Sequence, residues 1–301
     1  MKENTHLYFA EKVFSRLENK TLKKILEKNF DYYILGSVFP DVFYHNKKTA
    51  DISQIIHGRG RDKTNELIFD FLNFAKEKQD EKSLAFTLGY ISHYVLDSQM
   101  HPVVYYFTGN YYDKDPIKRF GSMLRHRQLE TFWDKKITKD FILCKKMKIS
   151  ALKHFGLSGI IYEKFGIDKD HLIKIFSECR TNNLLFRNYG AFLLLKVLIF
   201  VGIYKNESVK GFFLFTKNKE LENLDDELKY QDLITGEQKI NTLDGLMKEG
   251  GDRAVNLFEL TFSYYLRDIP FENLEAKIPG ESLDTGKIKY SVEDIVYTKY
   301  S

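Results

Sequence analysis

Cysteine, proline and long apolar runs are all scarce in this chain. Cys144 and Cys179 are its only two cysteines, a poor disulfide framework without metal-site neighbours, so they read as free thiols of a reducing compartment. Five prolines and few glycine-rich stretches in 301 residues argue against a turn-rich β fold and for long helices. The longest greasy run, 191–204, is interrupted by Lys196 and falls short of the roughly 17–25 residues a spanning helix needs. It is expected to be a buried core helix, with an interfacial or substrate-lining role as the alternative. The polar opening Met1-Lys2-Glu3-Asn4-Thr5-His6 has no apolar region of the kind a secretory signal carries, so a cytoplasmic location is expected. A net charge of +4 is too small to mark a nucleic-acid footprint, and no stable nucleic-acid partner is expected.

What is abundant is phenylalanine, tyrosine and the helical period. Twenty-five Phe and nineteen Tyr supply much of the apolar surface. Leu7 to Leu17 and Leu22 to Phe30 mark two amphipathic helices, and Asp62 or Thr64 is placed to cap a third running to Lys76. Further helices are read over 83–101, 118–135, 147–154, 170–180, 183–204, 208–215 and 242–267. Pro102 sits where the 83–101 helix must end or kink. Residues 107–115 and the charged stretch 218–241 read as loops. The expectation is one all-α domain over 1–275, a multi-helix bundle, with 276–301 as a tail packed on it or extending from it. The oligomeric state is not written in this pattern.

The chemistry concentrates in the 83–101 helix. His93, Asp97 and His101 recur every four residues, so at ~100° per residue their side chains share one stripe about 80° wide. Their neighbours are mostly apolar or aromatic, and a buried imidazole or carboxylate is costly unless paired or metal-bound. Elsewhere, His126 and Glu130 also lie four apart on one face, while His6, Asp41 and His57 stand at helix ends or turns. Each of these alone has a plainer reading: a cap at His6, a turn or cap at Asp41, a surface pair at His126–Glu130. His45, His154 and His171 read as surface or satisfied residues. Zinc accepts imidazole and carboxylate, and one i, i+4 pair supplies only two ligands, so a site must recruit from several helices.

In order, Thr5-His6, Gly36-x-x-x-Pro40-Asp41, Ile56-His57, Gly89-x-x-x-His93-x-x-x-Asp97-x-x-x-His101-Pro102 and His126-x-x-x-Glu130 resemble the zinc-dependent phospholipase C family. That family is related to the P1/S1 nucleases, which are all-α enzymes with a trinuclear zinc site. The resemblance covers about residues 1–135. It implies a first zinc on Asp41, His57, His93 and Asp97, and a second on His101, His126 and Glu130. A third would take His6, the bridging Asp97, and the backbone amine and carbonyl of the N-terminal residue, here Met1. The secreted relatives expose a tryptophan there after signal cleavage, and this chain departs from them.

The implied activity is hydrolysis of a phosphodiester, such as a phospholipid, by a metal-activated water. Asp41 and Asp97 orient or bridge metals, and Asp41 is also a candidate general base. Arg59 and Arg61, directly after His57, are candidate phosphate contacts, or else a solvated helix entry. Two alternatives stay open: a P1-like nuclease or 3′-nucleotidase, and a non-catalytic, metal-stabilised protein that binds lipid or a partner. Two other metal bundles fit poorly. The adjacent His-Asp pair of HD phosphohydrolases is absent, and the Glu-x-x-His spacing of ferritin-like di-iron proteins does not match the i, i+4 pairs here.

Overall fold

The computed structural model describes every residue except Asp62, Asp140 and Phe141. Its first seven helices are α1 (Glu3–Ser15), α2 (Lys20–Lys28), α3 (Phe30–Val42), α4 (Ala50–Ile56), α5 (Glu66–Lys78), α6 (Glu81–Thr108) and α7 (Pro116–Thr138). Then follow α8 (Ser158–Phe165), α9 (Lys169–Leu185), α10 (Tyr189–Phe200) and the short α11 (Lys219–Glu222). A hairpin of β1 (Glu227–Gln231) and β2 (Gln238–Thr242) leads into α12 (Leu243–Tyr265) and α13 (Phe271–Glu275). The protein is all-α, with these two strands the only ones among the described residues.

α6 is the axis of the fold. It is buried along nearly its whole length, and α1, α3, α5, α7 and α12 pack around it. Asp80 caps it by accepting from the Lys82 N–H at 3.1 Å, and Asp115 caps α7 just before Pro116 by accepting from Ile117 at 2.7 Å. α3 and α6 meet backbone to backbone because glycine faces carbonyl in both directions. A Cβ on Gly36 would lie 2.0 Å from the Phe86 carbonyl oxygen, and one on Gly89 2.1 Å from that of Tyr33. No side chain fits between them. This contact sets the end of α3, with Asp41, beside the middle of α6, with His93 and Asp97.

Several elements differ from the sequence reading, each for a visible reason. Residues 30–42 are a full helix, so Asp41 lies in its last turn rather than in a separate turn or cap. α6 does not stop at Pro102 but runs to Thr108. The missing Pro102 N–H costs one bond to Ser98, and Gly286 of the tail packs over that carbonyl, where a Cβ would lie at 2.6 Å. Thr64 caps nothing; its hydroxyl donates to the Glu281 carbonyl at 2.7 Å, and Asp62 lies outside the described residues. The stretch read as a loop over 218–241 contains the hairpin, with Leu228 opposite Asn241 and Tyr230 opposite Lys239. Its turn is fixed by Asp232, whose carboxylate accepts from Ile234 and Thr235 N–H at 3.1 Å. Residues 149–154 and 207–212 are 3₁₀ turns rather than α-helices. The largest difference is the greasy 191–204 run. It is split from α9 and lies mostly on the surface, with Leu195 its one buried helical residue.

Candidate metal centre

Four helices and the end of a fifth deliver the inward-facing polar side chains. His6 comes from the first turns of α1, Asp41 from the end of α3, and His57 from the residue that closes α4. α6 contributes His93, Asp97 and His101 on one stripe, and α7 contributes His126 and Glu130. All eight are buried. Asp97, fully buried, is at the centre. Its Oδ1 lies 3.2 Å from His6 Nε2 and 3.6 Å from His101 Nε2; its Oδ2 lies 3.0 Å from His93 Nε2 and 3.4 Å from His57 Nε2.

Two sets of donors converge on either side of it. His6, Asp41, His93 and Asp97 place one ligand atom each within 4.8 Å of one another, and so do His101, His126 and Glu130. Nε2 of His57 faces the first set at 3.3 Å from Asp41 Oδ1. The His6 and His93 rings stack at 3.8 Å. In the second set, Glu130 Oε1 is 3.3 Å from His101 Nε2 and 3.4 Å from His126 Nε2. The Met1 amine enters this set rather than the one holding His6. It donates to Asp97 Oδ1 at 2.8 Å and lies 3.2 Å from Glu130 Oε1 and 2.5 Å from His101 Nε2.

Two of the rings, His57 and His93, are anchored on their outer side and free on their inner side. His57 Nδ1 meets the Ser53 carbonyl at 2.6 Å, and His93 Nδ1 meets that of Ser37 at 3.0 Å. Those bonds orient the rings and aim Nε2 inward. Both nitrogens of His6, Nε2 of His57 and of His93, and Oδ2 of Asp97 are buried without a hydrogen-bond partner among the described residues. Buried polar atoms are rarely left so. Imidazole nitrogens and carboxylate oxygens converging at this spacing are the donors zinc accepts, so the residues fit a metal.

Without metal the charges must answer each other. Burial works against protonated His57, but the Asp41 and Asp97 carboxylates, 3.3 and 3.4 Å from its Nε2, outweigh it and raise its pKa to about 10. His101 is likewise raised to about 9, chiefly by Asp97 against the cost of burial. His93 goes the other way, to about 4, through burial and the neighbouring His6. Asp41, Asp97 and Glu130 are held below the usual carboxylate range despite burial, Asp41 first by His93, Asp97 first by His101, and Glu130 first by the Met1 amine. The Met1 amine, opposed by burial, is raised to about 11 by Asp97, Glu130 and Asp41.

Other predicted positions are arranged differently. Arg61 makes two bonds to Asp294, at 3.2 and 2.6 Å, and Arg59 stacks 4.7 Å over the Tyr112 ring. His45, read from sequence as a surface or satisfied core residue, pairs with Glu3 and takes Asn182 Nδ2 at 3.3 Å; Glu3, His45 and Cys179 form a third donor group. Sequence reasoning missed Asp284, whose Oδ1 is 3.5 Å from His101 Nδ1 and which accepts from Tyr105 OH at 3.3 Å. It also missed that the tail backs His57, through the Leu283 N–H to the His57 carbonyl at 3.0 Å. Neither signal exists locally, since a single acid in a polar tail has no periodicity. The rim carries Tyr44, 5.6 Å from His57, and Tyr111, 5.3 Å from His126. Arg127 joins it by donating to Tyr111 OH at 2.6 Å.

An all-α bundle whose core helices turn histidines and carboxylates onto one shared aspartate defines a helical metalloprotein with more than one cluster of donors. The zinc dependent phospholipase C family model matches residues 5–174, more than half of the chain, and the protein belongs to that zinc-dependent phospholipase C family. The matched span includes His6 and every other donor of the two sets except the Met1 amine. No curated protein and no solved structure matches the chain.

Proposed function

We propose that the protein is a zinc-dependent phosphodiesterase of the phospholipase C type that hydrolyses the phosphate ester of a phospholipid. The observation that carries this reading is the shared Asp97, flanked by two donor sets, the first with inner nitrogens on His6, His57 and His93 that have no hydrogen-bond partner, in a chain of a zinc-dependent family. Asp41, His57, His93 and Asp97 would hold one zinc, and His101, His126 and Glu130 a second. His6, sharing Asp97, is the side chain left for a third, with the Met1 amine within reach of Asp97. Bound zinc supplies Lewis acidity, which brings the pKa of water towards ~7 and offsets phosphate charge.

The chain's own residues do the rest. The Ser53 and Ser37 carbonyls keep His57 and His93 turned inward, so the donor geometry is set before anything binds. Asp41 keeps a slightly exposed carboxylate while Asp97 is sealed, which makes Asp41 the candidate to orient a water and accept its proton. Of the two arginines after His57, Arg59 is the more loosely held, 3.9 Å from Glu293 and over the Tyr112 ring, whereas Arg61 is bonded to Asp294 at 2.6 Å, so Arg59 is the candidate phosphate contact. Tyr44, Tyr111 and Tyr112 around the rim favour one second reading, a P1-like nuclease, since aromatic rings also stack bases. A panel of phosphatidylcholine, its analogues, single-stranded DNA and 3′-nucleotides separates them. The proposal expects diacylglycerol release that chelator abolishes and His93→Ala lacks. Turnover of nucleic acid alone favours the nuclease. No turnover with zinc loaded favours a non-catalytic lipid- or partner-binding protein.

A further inference from the structure

The apolar run that sequence assigns to the core is displayed outward. Leu194, Val197 and Phe200 of α10 are exposed, Phe200 by 90%, and Ile203 in the following turn is 73% exposed. Contiguous apolar faces of this kind mark a surface that something covers. The helix is not loose. Asn188 caps it by accepting from Ala191 N–H at 2.9 Å, and Phe192 packs on Phe213 with ring centroids 5.4 Å apart.

Its charge selects the partner. Residues 185–206 contain Arg187, Lys196 and Lys205 and no aspartate or glutamate. Neither Lys196 nor Lys205 has an acidic partner among the described residues. The groove beside the helix adds Lys135 and Lys217 around Phe192 and Phe215, with Glu222 beside them and Lys210 paired to Glu207 at 2.6 Å. Apolar side chains with a basic border suit an anionic phospholipid surface. A second copy of the chain would set Lys196 and Lys205 against the same pair of lysines, and residues 185–206 hold no acid to answer them. The 12 residues of α10 span about 18 Å, well short of a ~30 Å hydrocarbon core, so the helix lies on a bilayer rather than crossing it.

The face is continuous with the rim of the metal centre. The Glu207–Phe212 turn that follows α10 is clamped to α7, where Thr131 Oγ1 donates to the Gly211 carbonyl at 2.8 Å. Arg127 binds both Ser208 of that turn and Tyr111 OH, and Tyr111 leans on His126.

We propose that α10 and the 201–204 turn form an interfacial anchor. They insert Leu194, Val197, Phe200 and Ile203 at the headgroup–acyl boundary of an anionic phospholipid surface, with Lys196 and Lys205 at headgroup depth. This rests on the phospholipid reading above, and docking and turnover are measured apart. Docking is read by flotation of zinc-loaded protein, and of the same protein in chelator, with vesicles of a phosphonate phosphatidylcholine analogue, in which CH2 replaces the glycerol oxygen on phosphorus, with or without the matching phosphatidylserine analogue. Turnover is read separately on monomeric short-chain phosphatidylcholine.

The full chain is expected to float with the anionic vesicles whether or not zinc is present. The Leu194→Ser/Phe200→Ser double variant, with an unchanged thermal melt, should bind about tenfold or more weakly. Lys196→Glu should lose the preference for phosphatidylserine. Both variants should keep full turnover of the monomeric lipid. Flotation without any turnover would sink the phospholipase reading and leave the anchor standing. Failure of the chain to float, equal flotation of the double variant, or a dimer that this variant dissolves would overturn the anchor.

Discussion

Asp97 carries the largest share of the site's electrostatics, since His6, His57, His93, His101 and the Met1 amine all lie within 3.6 Å of its carboxylate. Asp97→Asn keeps the shape and removes the charge, which leaves raised-pKa groups without their counter-charge. Urea denaturation of the metal-free variant should show a loss of about 3–5 kcal/mol, the usual cost of stripping one partner from a buried ionic set. The histidines add a pH signature. In the metal-free chain His57 is raised to about 10 and His101 to about 9, so their stabilisation is full below about pH 6.5. It fades as pH rises through those values. Metal-free protein should therefore melt progressively lower from pH 6.5 to 10. Zinc loading at pH 7 should expel about two protons, read by titration calorimetry in buffers of different ionisation enthalpy. A loading step that releases none would mean these two rings are not ligands. His101 was legible in the sequence, because an i, i+4 stripe of ligands in a greasy helix has few other uses; His57, at the end of α4, was legible only through its place in the ordered family pattern. Asp284 was not, because nothing near it in the chain predicts His101. Asp284→Asn should keep the fold and weaken zinc binding by about 10–100-fold, measured by competition with a chelating dye.

At the scale of elements, the site exists because two helices approach as closely as backbones allow. Gly36 and Gly89 make that approach, and both stood in the sequence motif without a structural explanation. Gly89→Ala forces a methyl against the Tyr33 carbonyl and should cost at least about 1–3 kcal/mol by chemical denaturation. It should also weaken zinc binding, since Asp41 moves with α3. A variant as stable as the parent would show that α3 yields more easily than this packing implies. Element type was most legible where a periodic apolar face met a cap, as in α7, α12 and the start of α6. It failed where tertiary contacts override local signals. α6 continues past Pro102 with tail residue Gly286 packed against the Ser98 carbonyl that proline leaves free. The apolar run 191–204 reads as core because hydropathy reports how greasy a helix is and not what it faces.

For the whole molecule, the architecture joins the two ends of the chain at one centre. Lys2 is buried with its amine on the Phe212 carbonyl at 2.9 Å, and Thr5 donates to the buried Asp134 at 2.9 Å, which seats the first turn of α1 against α7. From the other end, Asn65 holds the Ile278 carbonyl at 2.6 Å, and the residues that follow pass behind His57 and His101. Long-range closure of this kind is invisible to local pattern, which is why the donors were readable but their backing was not. The central claim is that His6, Asp41, His57, His93, Asp97, His101, His126 and Glu130 form one zinc centre. Anomalous diffraction recorded above and below the zinc edge, on crystals of the zinc-loaded chain, tests it most directly. At least two anomalous peaks are expected, one beside Asp41 and His93 and one beside His126 and Glu130, with Asp97 between them. Crystals with no peak within bonding distance of Asp97, or with zinc bound only at surface histidines such as His171, would contradict it.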